Sequence, residues 1–265
     1  MGKLIGGIIG FIVANIIGAV IGVIIGHYFG KGLKPFITKE SPEQLHAIQT
    51  GFFNTTFTLI GYLAKADGHI SQEEIDQTQV LMDKMGLTAD HKREAIRLFK
   101  IGAEPNFDPQ HTVEAFRSLC GHRVQLKQML IVYLVNTALA DGKLHANEEI
   151  ALRKIAEGLQ FSSIVFEQLL KMLYAQESFS HQQYQQGAYQ HQPDSSELAN
   201  AYTAVGVSES ASDADIKKAY RKLMSQYHPD KLMGQGVPED MIKVATEQSQ
   251  EIQRAYDLIK KARKK

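Results

Sequence analysis

Ile216-Lys217-Lys218-Ala219-Tyr220-Arg221-Lys222-Leu223-Met224-Ser225-Gln226-Tyr227-His228-Pro229-Asp230-Lys231 is the stretch on which the reading of this 265-residue chain turns. Ile216, Ala219, Tyr220 and Leu223 recur at i, i+3, i+4 and i+7, the spacing of one buried helix face. Lys217 with Arg221, and Lys218 with Lys222, form two cationic ridges beside it. Ser212 is placed to cap the helix, and Asp215 to complete a capping box three residues on. Pro229 locks its own φ and pushes His228 towards extended backbone. The helix should therefore end there, on a rigid and exposed turn. Residues 231–237 read as a loop with Gly234 and Gly236, and Pro238 suits the first turn of another helix. That helix carries a mostly apolar stripe of Met241, Ala245, Gln248, Ile252, Ala255, Tyr256 and Ile259. Residues 198–205, ended by Gly206, read as a short first helix. A bare His-Pro-Asp is usually an ordinary helix-ending turn. The cationic helix before it and the segment after it make this one specific.

With those residues in place, positions 200–260 resemble the J domain of DnaJ-type co-chaperones. Tyr202, Val205-Gly206-Val207, the helix from Ile216 to Leu223, Tyr227-His228-Pro229-Asp230-Lys231 and Glu251-Ile252-Gln253-Arg254-Ala255-Tyr256 carry the resemblance. It implies a domain that docks on a DnaK-type chaperone and stimulates its ATP hydrolysis. By position, His228, Pro229 and Asp230 would be the stimulating loop. Tyr220, Arg221, Lys222, Lys217, Lys218 and Lys231 would form the docking face, its cations steering towards an acidic patch on the partner. Ser249 departs from the pattern, standing where many J domains bury an aromatic side chain. The chain's single cysteine, Cys120, leaves no Cys-x-x-Cys zinc module, and there is no Gly/Phe-rich spacer.

The opposite end reads as a membrane anchor. Residues 4–29 contain no Asp, Glu, Lys or Arg. At about 1.5 Å per residue they make a helix of roughly 39 Å, enough to cross ~30 Å of hydrocarbon with tilt. A cleaved signal peptide would have a shorter apolar core and a small-residue cleavage site. Gly6, Gly10, Ala14, Gly18, Gly22, Gly26 and Gly30 recur at every fourth position. Such a line lets two helix backbones approach closely in lipid, and its period favours a right-handed crossing. Homodimerisation through this stripe is the expectation. Lys31, Lys34 and Lys39 follow the span and Lys3 precedes it, so the positive-inside rule weakly favours a cytoplasmic C-terminal side. The J-domain resemblance decides for that side, because it implies a DnaK-type partner and ATP in the cytosol. One cysteine fits a reducing compartment.

Between the ends, residues 45–175 read as helical throughout, with 3.6-residue periodicity over 52–66, 72–85, 88–102, 109–120, 122–140, 148–159 and 163–174. An internal repeat is present. Leu63-Ala64-Lys65-Ala66-Asp67-Gly68 parallels Thr137-Ala138-Leu139-Ala140-Asp141-Gly142, and Glu74 parallels Glu148 at the same offset. Two readings compete. Gly68 and Gly142 supply helix C-caps, with Ser71 and Glu74 forming a capping box. Alternatively, Asp67, Glu74, Asp141 and Glu148 hold a divalent cation, although EF-hand ligand spacing is absent. Capping is the favoured reading. The duplicated Asp-Gly pattern resembles the TerB-like domains, which are all-helical with two related halves. Residues 176–197 are Gln-rich and poor in aliphatics, so they read as a flexible tether of roughly 25 Å on which the J domain swings. His181 and His191 in that tract do not make a metal site.

Equal numbers of basic and acidic residues, 29 of each, give no global pull towards nucleic acid. The basic tail, residues 260–265, reads as a solvated helix end. The expected fold is all-α: a transmembrane helix at 1–31, a TerB-like helical domain at 45–175, a linker at 176–197 and a J-domain hairpin at 198–265. That order resembles the DnaJ-like protein A family of Gram-negative bacteria. The resemblance implies a dimeric inner-membrane co-chaperone working near envelope stress, regulating an ATPase without being an enzyme or needing a cofactor. The alternative is a stress-signalling scaffold or cation sensor that acts through the middle domain.

Overall fold

The computed structural model describes residues 41–66, 72–139, 143–186 and 195–264. Among them every regular element is helical: α1 (Pro42–Ala64), α2 (Gln72–Met85), α3 (Ala89–Gly102), α4 (Pro109–Cys120), α5 (Val124–Ala138), α6 (Ala146–Gly158), α7 (Ser163–Gln186), α8 (Ser195–Val205), α9 (Asp213–Gln226), α10 (Pro229–Gln235) and α11 (Ile242–Arg263), with a 3-10 turn at Glu239–Met241. Local chemistry sets several boundaries. The Thr88 hydroxyl caps α3 by accepting the His91 N–H at 3.2 Å. Asp108 does the same for α4 by accepting from Gln110 at 2.9 Å, with Pro109 at the first helical position.

The helix α5 is apolar on nearly every side and is buried along most of its length, which makes it the axis of the fold. Phe52 of α1 packs on it, its ring 5.7 Å from Tyr133 edge-on and 5.9 Å from Phe116 of α4. Truncating buried rings of this kind to alanine typically costs about 3–5 kcal/mol. Helices α1 and α3 touch backbone to backbone. A Cβ on Gly61 would overlap the Phe99 carbonyl, and one on Gly102 the Thr58 carbonyl, so both positions need glycine.

At the C-terminal end, α8, α9 and α11 share a smaller cluster of Ala201, Tyr202, Val205, Ile216, Ala255 and Ile259. Arg263 ties the ends together. It donates to the Tyr202 hydroxyl at 2.8 Å, the Asp213 carboxylate at 2.7 Å and the Glu209 carbonyl at 2.8 Å.

Two expectations are corrected. The Gln-rich tract does not start as a coil, because α7 runs on to Gln186. Ala175 joins the C-terminal apolar cluster, and the buried Gln176 donates to the Ala204 carbonyl at 3.0 Å. These contacts outweigh a composition that lacks aliphatics, and Gln itself is an adequate helix former. Residues 187–194 lie outside the described residues. Nor is the C-terminal hairpin free to swing. Leu223, Tyr227, Leu232, Val237, Met241, Val244, Ala245 and Ile252 belong to the same apolar core as α1 and α5. The span at residues 4–29, with its glycine stripe, also lies outside the described residues. No helix among the described residues is long and apolar enough to cross a membrane.

Candidate functional site

Helix α9 begins as its sequence implies. The Ser212 hydroxyl oxygen accepts the Asp215 N–H at 3.2 Å, and the hydroxyl itself donates to the Asp215 carboxylate at 2.6 Å. Ile216 and Leu223 are buried, while Ala219 and Tyr220 are half-buried. Lys217, Lys218, Arg221 and Lys222 all stand exposed on the other side. Tyr220 is committed within the hairpin. Its ring stacks on Tyr256 with centroids 4.1 Å apart, and its hydroxyl donates to Gln253. Burial, with smaller contributions from the Asp257 charge and Tyr256, raises its pKa.

The chain then turns as Pro229 demands. Tyr227 closes α9, its N–H donating to the Leu223 carbonyl at 3.0 Å. His228 is extended, with φ −65° and ψ 123°. Its Nδ1 accepts the Asp230 N–H at 3.2 Å, so the ring hydrogen sits on Nε2. His228 thereby caps α10, and Pro229 occupies the first helical position. His228, Asp230 and Lys231 are all exposed. Asp230 lies in the first turn of α10, where a carboxylate suits the helix dipole. It makes no ion pair among the described residues. Lys231 reaches back to donate to the Ser225 hydroxyl. The tripeptide is thus a rigid exposed corner, with a ring nitrogen and a carboxylate beside a cationic helix.

Residues 231–237 are not the loop expected from their glycines. They form most of α10 and its cap. Leu232 is fully buried, and Gly236 at φ 112° takes the left-handed C-cap, its N–H shared between the Leu232 and Met233 carbonyls. A supporting residue also emerges. Ser249, noted only as a departure, donates to the Ala245 carbonyl at 2.9 Å and lies 3.3 Å from the Tyr227 carbonyl, next to the loop. A serine standing on an otherwise apolar helix face was the available signal.

In the middle domain, Glu148 works as a cap. Its carboxylate accepts the His145 N–H at 2.9 Å and is buried. Asp67, Asp141 and the side chain of Glu74 lie outside the described residues. No group of metal-binding side chains is present among the described residues. The cleft of about 360 Å³ beside this region is lined by Tyr62, Phe107, Ile150, Lys65 and Lys154, with Glu104 the single carboxylate among the described residues that line it. That lining does not suit a cation.

Three family models match the chain: tellurite resistance protein TerB at residues 54–171, the DnaJ domain at 200–265 and the co-chaperone DjlA transmembrane domain at 1–35. Among curated proteins it is similar to co-chaperone protein DjlA of Vibrio cholerae, 42% identical over 80% of this chain and 78% of the relative. The namesake from Photobacterium profundum is 38% identical over 88% and 85%, and that from Coxiella burnetii 40% identical over 85% and 83%. No solved structure matches.

Proposed function

Since the chain belongs to the DjlA co-chaperone family, we propose that its His228-Pro229-Asp230 corner is the element that drives ATP hydrolysis by a DnaK-type chaperone. The protein is a membrane co-chaperone that acts with such a partner. What supports assigning the stimulation to the corner is its exposure. His228 and Asp230 face solvent on a backbone fixed by Pro229 and by the His228 cap. Lys217, Lys218, Arg221, Lys222 and Lys231 form the docking surface, with Tyr220 bracing it from behind. Opposite charge on the partner raises the encounter rate. The protein regulates this hydrolysis and does not itself turn over ATP. Nucleic acid is not a partner.

The test is steady-state ATP turnover by a DnaK-type chaperone with the full chain and with His228→Gln. We expect stimulation by the wild type and a return to the unstimulated rate with the variant. Equal stimulation by both would move the chemistry away from the corner.

The anchor is assigned to the bacterial inner membrane, with residues after about 31 in the cytoplasm beside DnaK and its ATP, and with work in envelope stress as the setting. Two chains pair in the bilayer through Gly6, Gly10, Ala14, Gly18, Gly22 and Gly26. Replacing Gly18 and Gly22 together by Leu should abolish self-association in a membrane reporter assay. Undiminished association would refute the stripe.

A further inference from the structure

The exposed corner is gripped on both sides by a different domain. Tyr227 precedes it and is fully buried, in one apolar cluster with α1 and α5. Its hydroxyl approaches Gln128 of α5 without a well-formed hydrogen bond. Leu232 follows the corner by two residues, equally buried in the same cluster. The far end of α10 is seated more tightly still. A Cβ on Gly236 would overlap the Ile48 side chain of α1, with Leu126 of α5 next in line. The Gln235 amide donates to the Gln125 side chain. The buried Tyr133 hydroxyl donates to the Met241 carbonyl just beyond. At the rim His91 of α3 meets the Asp240 carboxylate.

A helix of seven residues has little stability of its own. What holds the His228 cap and the Asp230 carboxylate in one orientation is therefore the surface beneath α10. That surface includes Ile48 of α1 and Leu126 of α5 beside the hairpin's own α11, and no residue of α8 contributes to the cluster. The cations of α9 lie outside this contact and stay exposed. Holding the corner still and recruiting the partner thus fall mostly to different surfaces, Lys231 being the one docking cation carried on α10 itself.

We infer that the TerB-like domain positions the stimulating corner, with Tyr133 and Gln125 as positioning residues that act through α10. This rests on the co-chaperone reading. It predicts an effect on the stimulated rate at saturation rather than on affinity, because misplacement of a correctly docked group costs rate.

The experiment uses the full chain in phospholipid nanodiscs, titrated against a DnaK-type chaperone, with wild type, Tyr133→Phe with Gln125→Ala, and Gly236→Val. Amide exchange over 228–241 is followed in parallel. Failure of the wild type to stimulate would remove the co-chaperone reading itself. With stimulation established, the positioning role requires faster exchange over 228–241 and a maximal stimulated rate lower by roughly three- to ten-fold, at an unchanged half-saturating concentration. Partial unfolding would act in the opposite way, raising the half-saturating concentration and leaving the maximum intact. That result would overturn the inference. So would a loosened segment with full activity, or exchange unchanged in both variants.

Discussion

Cys120 ends α4 with no exposed surface, and its environment decides its chemistry. Burial raises the thiol pKa from near 9 to about 12, against a smaller opposing pull from Lys127. The thiolate is the reactive form, so native protein at pH 8 should resist iodoacetamide and label only when denaturant opens the core. Rapid native labelling would contradict this burial. The sign of the linked stability follows. Below pH 9 the thiol is neutral in both folded and unfolded chains, and its burial contributes in full. As pH rises from 9 towards 12 the unfolded thiol ionises while the folded one cannot, and the contribution drains away. The stability advantage of wild type over Cys120→Ala should therefore shrink as pH climbs above 9, as read by urea titration. His228 shows the same dependence on surroundings in another form, since it serves as a cap because Pro229 leaves it extended.

Helices were legible wherever an apolar stripe ran long enough to show its period. The stretches 72–85 and 109–120 coincide with α2 and α4, and Ser212 caps α9 as its position suggests. The misses have local causes. α10 has seven residues and two glycines in or beside it, so no periodicity survives, and only its proline start and glycine cap mark it. α1 begins ten residues before the expected 52 because its first turns carry a single buried aliphatic, Ile48. α7 outruns its own apolar stripe because Gln176 finds a carbonyl on α8. The tripeptide was readable because its chemistry is local: one proline, one cap and one cationic face. Its support was not, because Tyr133 and Met241 stand 108 residues apart and neither is unusual in sequence.

Across the whole molecule, the consequence of a shared core is cooperativity. A hairpin on a flexible tether would melt on its own, at a midpoint set by its own small cluster. Here Leu223, Tyr227, Val237, Met241 and Ile252 lie in one apolar cluster with Phe52, Leu126 and Tyr133. Opening the hairpin would expose both sides of that contact, and each fully buried aliphatic or aromatic side chain so exposed costs about 1.5–3 kcal/mol. Several such side chains exceed the stability of a small hairpin alone, so partial opening should be no cheaper than global unfolding. We therefore predict that residues 41–265 unfold in a single transition. The chain contains no tryptophan, which leaves fluorescence free for one reporter in each half, Phe107→Trp and Tyr256→Trp, both at partly buried sites. The two reporters should give superimposable urea curves with one midpoint and one slope, the slope being that of the whole surface exposed. A hairpin reporter that melts first, with a shallower slope, would mean that the two halves fold separately and that the corner is held only by its own helices.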